Sequence, residues 1–142
     1  MQKEILSFEV VNQEFGIDVD YVEMVIEKEE ITPVPNSRVF IEGVVNLRGR
    51  IVPVFDLTKI LDLEVPEDIV FDSIIIMKHE KEEIGILVNK VNNVISFDDE
   101  ELDVLPAKSG KFVGKVNGVL KINNRLIVYL NLEKLFESLE TK

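Results

Sequence analysis

The sequence predicts a mainly β fold: two pseudo-equivalent small barrels of five strands each, packed on a shared core, with few and short helices. Three observations carry this. Short runs rich in β-branched residues recur between polar or glycine turns. Blocks of apolar residues and glycine repeat in the same order at a separation of about seventy residues. Helical spacing is confined to two short stretches, the second near the C-terminus, and each is opened by a residue suited to capping.

In the first unit, strands are expected at Ile5 to Val11, Phe15 to Val19, Tyr21 to Ile26, Val44 to Leu47 and Ile51 to Phe55. In the second they are expected at Ser73 to Lys78, Ile84 to Asn89, Lys90 to Phe97, Val113 to Lys121 and Arg125 to Leu130. Closing each set into a barrel would protect its strand edges. Asp56 precedes Leu57, Ile60 and Leu61, and Asn131 precedes Leu132, Leu135, Phe136 and Leu139. Each set of apolar positions falls on one helical face. The preceding Asp or Asn can accept from the free N–H groups of the first turn, so capping is the expected role of both.

The repeat itself runs from Glu14 to Ile26 and again from Glu83 to Ile95. It continues with Glu29, Glu30, Ile31 and Pro35 against Glu100, Glu101, Leu102 and Pro106, and with Phe40 and Gly43 against Phe112 and Gly114. Ile51 to Leu61 then answers Leu126 to Phe136. The acidic, proline-containing segment from Asp62 to Asp68 has the composition of a connection. The expectation is one domain over 1–142, with subdomains at approximately 14–68 and 72–130 and terminal segments packing across. A unit of that size buries too little surface to be comfortably stable alone.

Composition narrows the partners. Hydrophobic residues make up 46%, and 27 Asp and Glu against 16 Lys and Arg leave a formal charge of -11. Such a charge repels phosphate backbones and anionic lipid, so neither nucleic acid nor direct membrane binding is expected. There is no cysteine, which removes disulfides, thiolate nucleophiles and zinc-cysteine sites. Residues Met1 to Ile5 lack a basic region followed by a long apolar one, and the run Ile74 to Met77 is too short to cross a bilayer. The protein is expected to be soluble, unprocessed and cytoplasmic.

Catalytic chemistry finds little to work with. His79 is the one histidine and precedes Glu80, Lys81, Glu82 and Glu83, so an exposed turn residue is the expectation. No second imidazole completes a metal site. Serines 7, 37, 73, 96, 109 and 138 lack a nucleophile elbow. The carboxylates of Asp98 to Glu101 suit a solvated loop, and Leu47-Arg48-Gly49-Arg50 is too short to argue for anion binding. No enzyme activity and no cofactor are expected. A small barrel that binds a ligand, or a hydrolase that needs no cofactor, is the alternative.

The run from Phe40 to Leu57, with Asn46-Leu47-Arg48-Gly49 followed by an apolar stretch, Pro53 and Asp56-Leu57, closely resembles the signature of CheW-type chemotaxis coupling proteins. Phe15 to Asp18, Thr32 to Asn36, Ile84 to Ile86 with Val91 and Val94, and Asn131 to Leu135 extend the resemblance from about Ile5 to Leu139. It implies two five-stranded barrels of the SH3-like kind and a non-catalytic adaptor. That adaptor would join the cytoplasmic tip of chemoreceptors (methyl-accepting chemotaxis proteins) to the regulatory domain of the histidine kinase CheA, and would be recruited to membrane-associated receptor arrays.

Carried over position by position, the resemblance implies kinase contacts at Val22, Met24, Ile31 and Gly43, and receptor contacts at Arg48, Gly85, Val88, Val91 and Val94. Core packing competes for the apolar positions, because strand side chains alternate faces. Arg48 has two other readings, a plain turn residue and a brace between the units. Two departures stand out: Met24 where the family often has Glu, and Asn89-Lys90 where it often has Asp-Gly.

Overall fold

The computed structural model describes residues 2–28, 31–33, 40–104, 106, 110 and 112–140. Its strands are β1 (Lys3–Val10), β2 (Gln13–Asp18), β3 (Val22–Glu27), β4 (Ile41–Leu47), β5 (Arg50–Asp56), β6 (Ser73–His79), β7 (Glu82–Val88), β8 (Lys90–Phe97), β9 (Leu102–Asp103), β10 (Val116–Ile122) and β11 (Arg125–Leu130). The helices α1 (Leu57–Ile60) and α2 (Leu132–Glu140) follow β5 and β11. The mainly β expectation and the short helices hold. Glu29, Glu30 and Pro35 of the repeat, and Val34 to Asn36 of the resemblance, lie outside the described residues.

The strands form two sheets with the same internal plan. One is ordered β8-β1-β2-β11-β10-β9 and the other β3-β6-β7-β5-β4. Each contains one parallel pair at matched places: Tyr129 beside Gly16 in the first, Val54 beside Gly85 in the second. Apart from the two-residue β9, the orders superimpose strand for strand, which suits the paired five-stranded barrels.

The sheets do not coincide with the sequential halves 14–68 and 72–130. The β1–β2 hairpin pairs with strands of the second half, and β6–β7 completes the sheet of the first half. The compact units are Met1–Val19 with Val91–Lys142, and Asp20–Lys90. Both hairpins carry the same alternation and a matched glycine, so periodicity cannot say which copy each one completes. The parallel pairings decide it, and only the folded chain reveals them.

Each unit has its own interior. In the 20–90 unit, Val45, Leu47, Val52, Val54, Ile74, Ile76 and Leu87 form the buried cluster, with Met24, Ile26, Ile31 and Phe71 packed against it. In the other, Ile5, Phe97, Leu120, Ile122, Ile127 and Tyr129 do so, and Phe97 meets Tyr129 edge-on with centroids 5.3 Å apart. Such aromatic pairs contribute about 0.5–1.5 kcal/mol beyond their area. The Tyr129 hydroxyl donates to Asp18 Oδ1 at 2.5 Å, which satisfies the one polar atom that ring carries inward.

Both caps form as expected. Thr58 N–H donates to Asp56 Oδ1 at 3.0 Å, and Lys134 N–H to Asn131 Oδ1 at 3.1 Å. The strand expected from Val113 begins only at Val116, because residues 112–115 form turns. The expected match of Gly43 with Gly114 shifts too. Gly43 sits at a bulge of β4 opposite Val54, and the residue in that place in β10 is Gly118, opposite Tyr129. A Cβ at Gly43 would come 2.5 Å from the Thr32 carbonyl oxygen, and one at Gly118 2.3 Å from that of Asp103. Both glycines let a neighbouring segment cross close above the strand.

Candidate partner-binding surfaces and two duplicated charge clusters

Arg48 and Gly49 are the two residues of the turn between β4 and β5, with Leu47 facing Arg50. Their φ angles are +54° and +85°, the left-handed geometry of a type I′ hairpin turn, whose twist matches that of the flanking strands. Asn46 Oδ1 accepts from Gly49 N–H at 2.9 Å and ties the turn to its own strand. Arg48 is exposed. The loop Leu47-Arg48-Gly49-Arg50 is thus a tight hairpin tip that carries a guanidinium.

The expected kinase contacts lie in the 20–90 unit, and the structure sorts them. Val22 and Ile31 are half-buried and keep some exposed surface. Met24 and Ile31 pack against the barrel interior, so at Met24, where the family often has Glu, the side chain is drawn into the core. Gly43 is buried beneath Ile31 and Thr32.

The expected receptor contacts divide similarly. Val94 is 51% exposed and Val91 half-buried, both on β8, whereas Val88 is fully buried. Gly85 is buried, and a Cβ there would come 2.8 Å from Ile74 Cγ2. Its counterpart Gly16 lies equally close to Ile5, so close packing accounts for both glycines. At the Asn89-Lys90 departure, Asn89 Nδ2 donates to the Val70 carbonyl at 2.5 Å and fastens the connection between the sequence halves.

His79 does end β6 at a hairpin turn, but it is half-buried rather than exposed. Its ring stacks on Tyr21 at 5.7 Å. Among the described residues, no group of three or more His, Cys, Asp or Glu is placed to hold a metal ion. Among the described residues, no helix is long and apolar enough to cross a membrane.

Sequence reading overlooked two Glu–Arg pairs at matched places in the sheets. In the unit of Met1–Val19 with Val91–Lys142, Glu14 on β2 receives Arg125 of β11 through Nε at 3.1 Å and through Nη2. The buried Ser7 hydroxyl on β1 also donates to Glu14, and Asn92 of β8 approaches it at 3.5 Å. Burial pushes the Glu14 carboxyl up, but the bonds from Arg125 and Ser7, the guanidinium charge and Asn92 outweigh it and hold the group below the ordinary glutamate range. The bond to Glu14 in turn holds the Arg125 guanidinium above its usual value.

In the 20–90 unit, Arg50 of β5 faces Glu83 of β7 with Nη1 3.0 Å from Oε2. The approach lacks the alignment of a hydrogen bond, and the buried Oε2 accepts none. Here the counterpart of Asn92 is Glu23 of β3, an exposed carboxyl that the neighbouring Glu83 carboxyl pushes above the ordinary glutamate value. A signal was present in the sequence: Glu14 and Glu83 open the repeated stretch, and Arg125 and Arg50 immediately precede the matched Leu126 and Ile51.

Two sheets of matched strand order, each with its own buried cluster, define a class, the double small-barrel β module. The CheW-like domain family model matches residues 4–140. Chemotaxis protein CheW of Thermotoga maritima is 47% identical over 98% of this chain and 91% of its own length. That of Bacillus subtilis is 33% identical over 88% and 81%. The crystal structure of scaffolding protein TtCheW from Thermoanaerobacter tengcongensis superimposes with a TM-score of 0.85 at 31% identity, covering 96% of this chain and 94% of that one. The chain belongs to the CheW-like family.

Proposed function

We propose that this chain is a non-catalytic cytoplasmic scaffold of a chemotaxis pathway, coupling the cytoplasmic tip of chemoreceptors to the regulatory domain of the kinase CheA. The family match over nearly the whole chain supports the scaffold class. The observation that carries the coupling role is Arg48, a guanidinium at the tip of a tight, side-chain-tied hairpin. Left-handed backbone is unfavourable for arginine by roughly 1–2 kcal/mol, and a planar fork carried on such a turn can hold a carboxylate or a backbone carbonyl of a receptor helix bidentately.

Val22 and Ile31 offer the side chains for the kinase face, with Met24 and Gly43 supporting them from within. Val91 and Val94, with Val88 and Gly85 packed inside the strands, would take the apolar side of a receptor helix.

Calorimetric titration with a cognate CheA regulatory domain and, separately, with a receptor-tip fragment tests this. Arg48→Ala should weaken receptor-tip binding about tenfold, which corresponds to about 1.4 kcal/mol, and leave kinase binding intact. Val22→Asp should do the reverse. Absence of saturable binding to either partner by the folded wild-type protein would overturn the proposal.

A further inference from the structure

We propose that Ile51 is the apolar anchor of the Arg48 site, and that the two together take a helix bearing a carboxylate and, about one turn away, an apolar side chain. The placement follows from alternation along β5. Val52 and Val54 belong to the buried cluster of the 20–90 unit, so Ile51, Pro53 and Phe55 stand on the opposite face of the sheet. Along that stripe exposure grows toward the hairpin tip: Phe55 is 3% exposed, Pro53 half-buried and Ile51 63% exposed. On β4 the half-buried Val44 lies opposite Pro53, and Asn46, whose Oδ1 is taken by Gly49 N–H, lies opposite Ile51. The stripe therefore ends at the surface in a large apolar side chain, whose burial against a partner would be favourable.

The charge at the tip says what docks there. Arg48 is exposed, and among the described residues none pairs with its guanidinium. The next guanidinium, Arg50, is already engaged by Glu83. A partner's carboxylate is the group that answers a free guanidinium, whereas a phosphate backbone or an anionic lipid surface would be repelled by the net charge of -11. Residues three or four apart share one face of a helix, so a single helix can present the carboxylate to Arg48 and the apolar group to Ile51. This deepens the function proposed above and rests on it, the helix being that of the receptor tip. The other unit supplies the contrast. Leu126 of β11 is 59% exposed at the end of a stripe that begins with the buried Leu130 and Val128. Its hairpin tip is Asn123-Asn124, and its cross-strand neighbour Lys121 lies 3.9 Å from Asp103. The apolar end is repeated there without a guanidinium at the tip.

Calorimetric titration of the full chain with a receptor-tip fragment, at low and at high salt, tests the site. Ile51→Thr keeps a β-branched side chain at an exposed position, so its urea midpoint should match that of the wild type. It should weaken binding of the fragment about fivefold at both salt concentrations, whereas the loss caused by Arg48→Ala should shrink as salt rises. Leu126→Thr should leave the affinity unchanged. Where the wild type binds the fragment, an Ile51→Thr variant that binds equally well, or a Leu126→Thr variant that loses as much as Ile51→Thr, would overturn the inference and leave the function standing. A loss at Ile51→Thr that falls on the CheA regulatory domain instead of the fragment would overturn it too. No binding of the fragment by the wild type would remove the receptor role and this inference together, so the two failures are told apart.

Discussion

The hairpin tips of β4–β5 and β10–β11 have the same backbone and different chemistry. Arg48 and Gly49 occupy one turn with φ +54° and +85°, and Asn123 and Asn124 the other with +48° and +65°. Asparagine is among the few L-residues that adopt this region readily. The second tip therefore carries residues that suit its backbone, whereas Arg48 in the first does not. Val11 and Glu80 also have positive φ, so a left-handed turn alone marks no site. At Arg48 it coincides with exposure and with the Asn46 tie.

The charge clusters repeat the lesson in the sheets. Arg125 and Ser7 saturate Glu14, while Arg50 compensates Glu83 only partly and Glu23 adds a second acid. Positions that let the chain fold are alike in the two copies: the close-approach glycines, the helix caps and the parallel pairs. The residues around Glu14 and Glu83 and at the two hairpin tips differ between the copies.

The glycines should show the largest effects. A methyl group at Gly118 meets the Asp103 carbonyl on a backbone with φ +149°, whereas at Gly43 it meets the crossing Ile31 and Thr32 without a positive φ. Gly118→Ala should cost about 3 kcal/mol and Gly43→Ala about 2 kcal/mol in urea unfolding. Equal costs would mean that φ is irrelevant.

Removing an arginine comes next. Arg125→Ala leaves Glu14 buried without its principal donor and should cost about 2 kcal/mol. Arg50→Ala, at a more exposed and poorly aligned pair, should cost less than about 1 kcal/mol. A larger loss at Arg50 would break the contrast.

Acid sharpens the same comparison, because the two displacements have opposite signs. The Glu14 carboxyl is held low in the folded state, so its contribution is present above the ordinary 4.5 and is lost as pH falls through the folded value. That of Glu23 is raised, so its contribution is full below 4.5 and is lost as pH rises through the folded value. In thermal melts against pH, Glu14→Gln should flatten the acid loss, and Glu23→Gln should gain relative to wild type as pH rises. Parallel profiles would contradict the assignment. The smallest effect is at the tips: Arg48→Asn should stabilise by about 0.5 kcal/mol and Asn123→Arg destabilise by as much, read from denaturation midpoints.

Several features were legible in the sequence because they depend on local patterns. Alternation located most strands to within a residue or two. Asp56 and Asn131 were recognisable as caps from their place before a helical stripe, and the Asn46-to-Gly49 run pointed to both the family and the hairpin. The Val113 start failed because Val113, 47% exposed, belongs to a turn whose apolar residues mimic a strand. Met24 and Val88 read as surface candidates because alternation does not say which face is inward, and the bulge at Glu23 interrupts even that pattern. The Glu–Arg pairs went unread because their members lie far apart in the chain.

By itself the sequence determined what is set residue by residue: strand content, turn and cap chemistry, net charge, the duplication and membership of the family. Only the tertiary structure decided which hairpin completes which sheet, which apolar side chains keep an exposed edge, and that Glu14 meets Arg125 while Glu83 meets Arg50. Those outcomes depend on pairings between distant strands. Two copies with the same period-2 pattern offer alternatives that local propensity cannot rank, and long-range packing and charge compensation select among them.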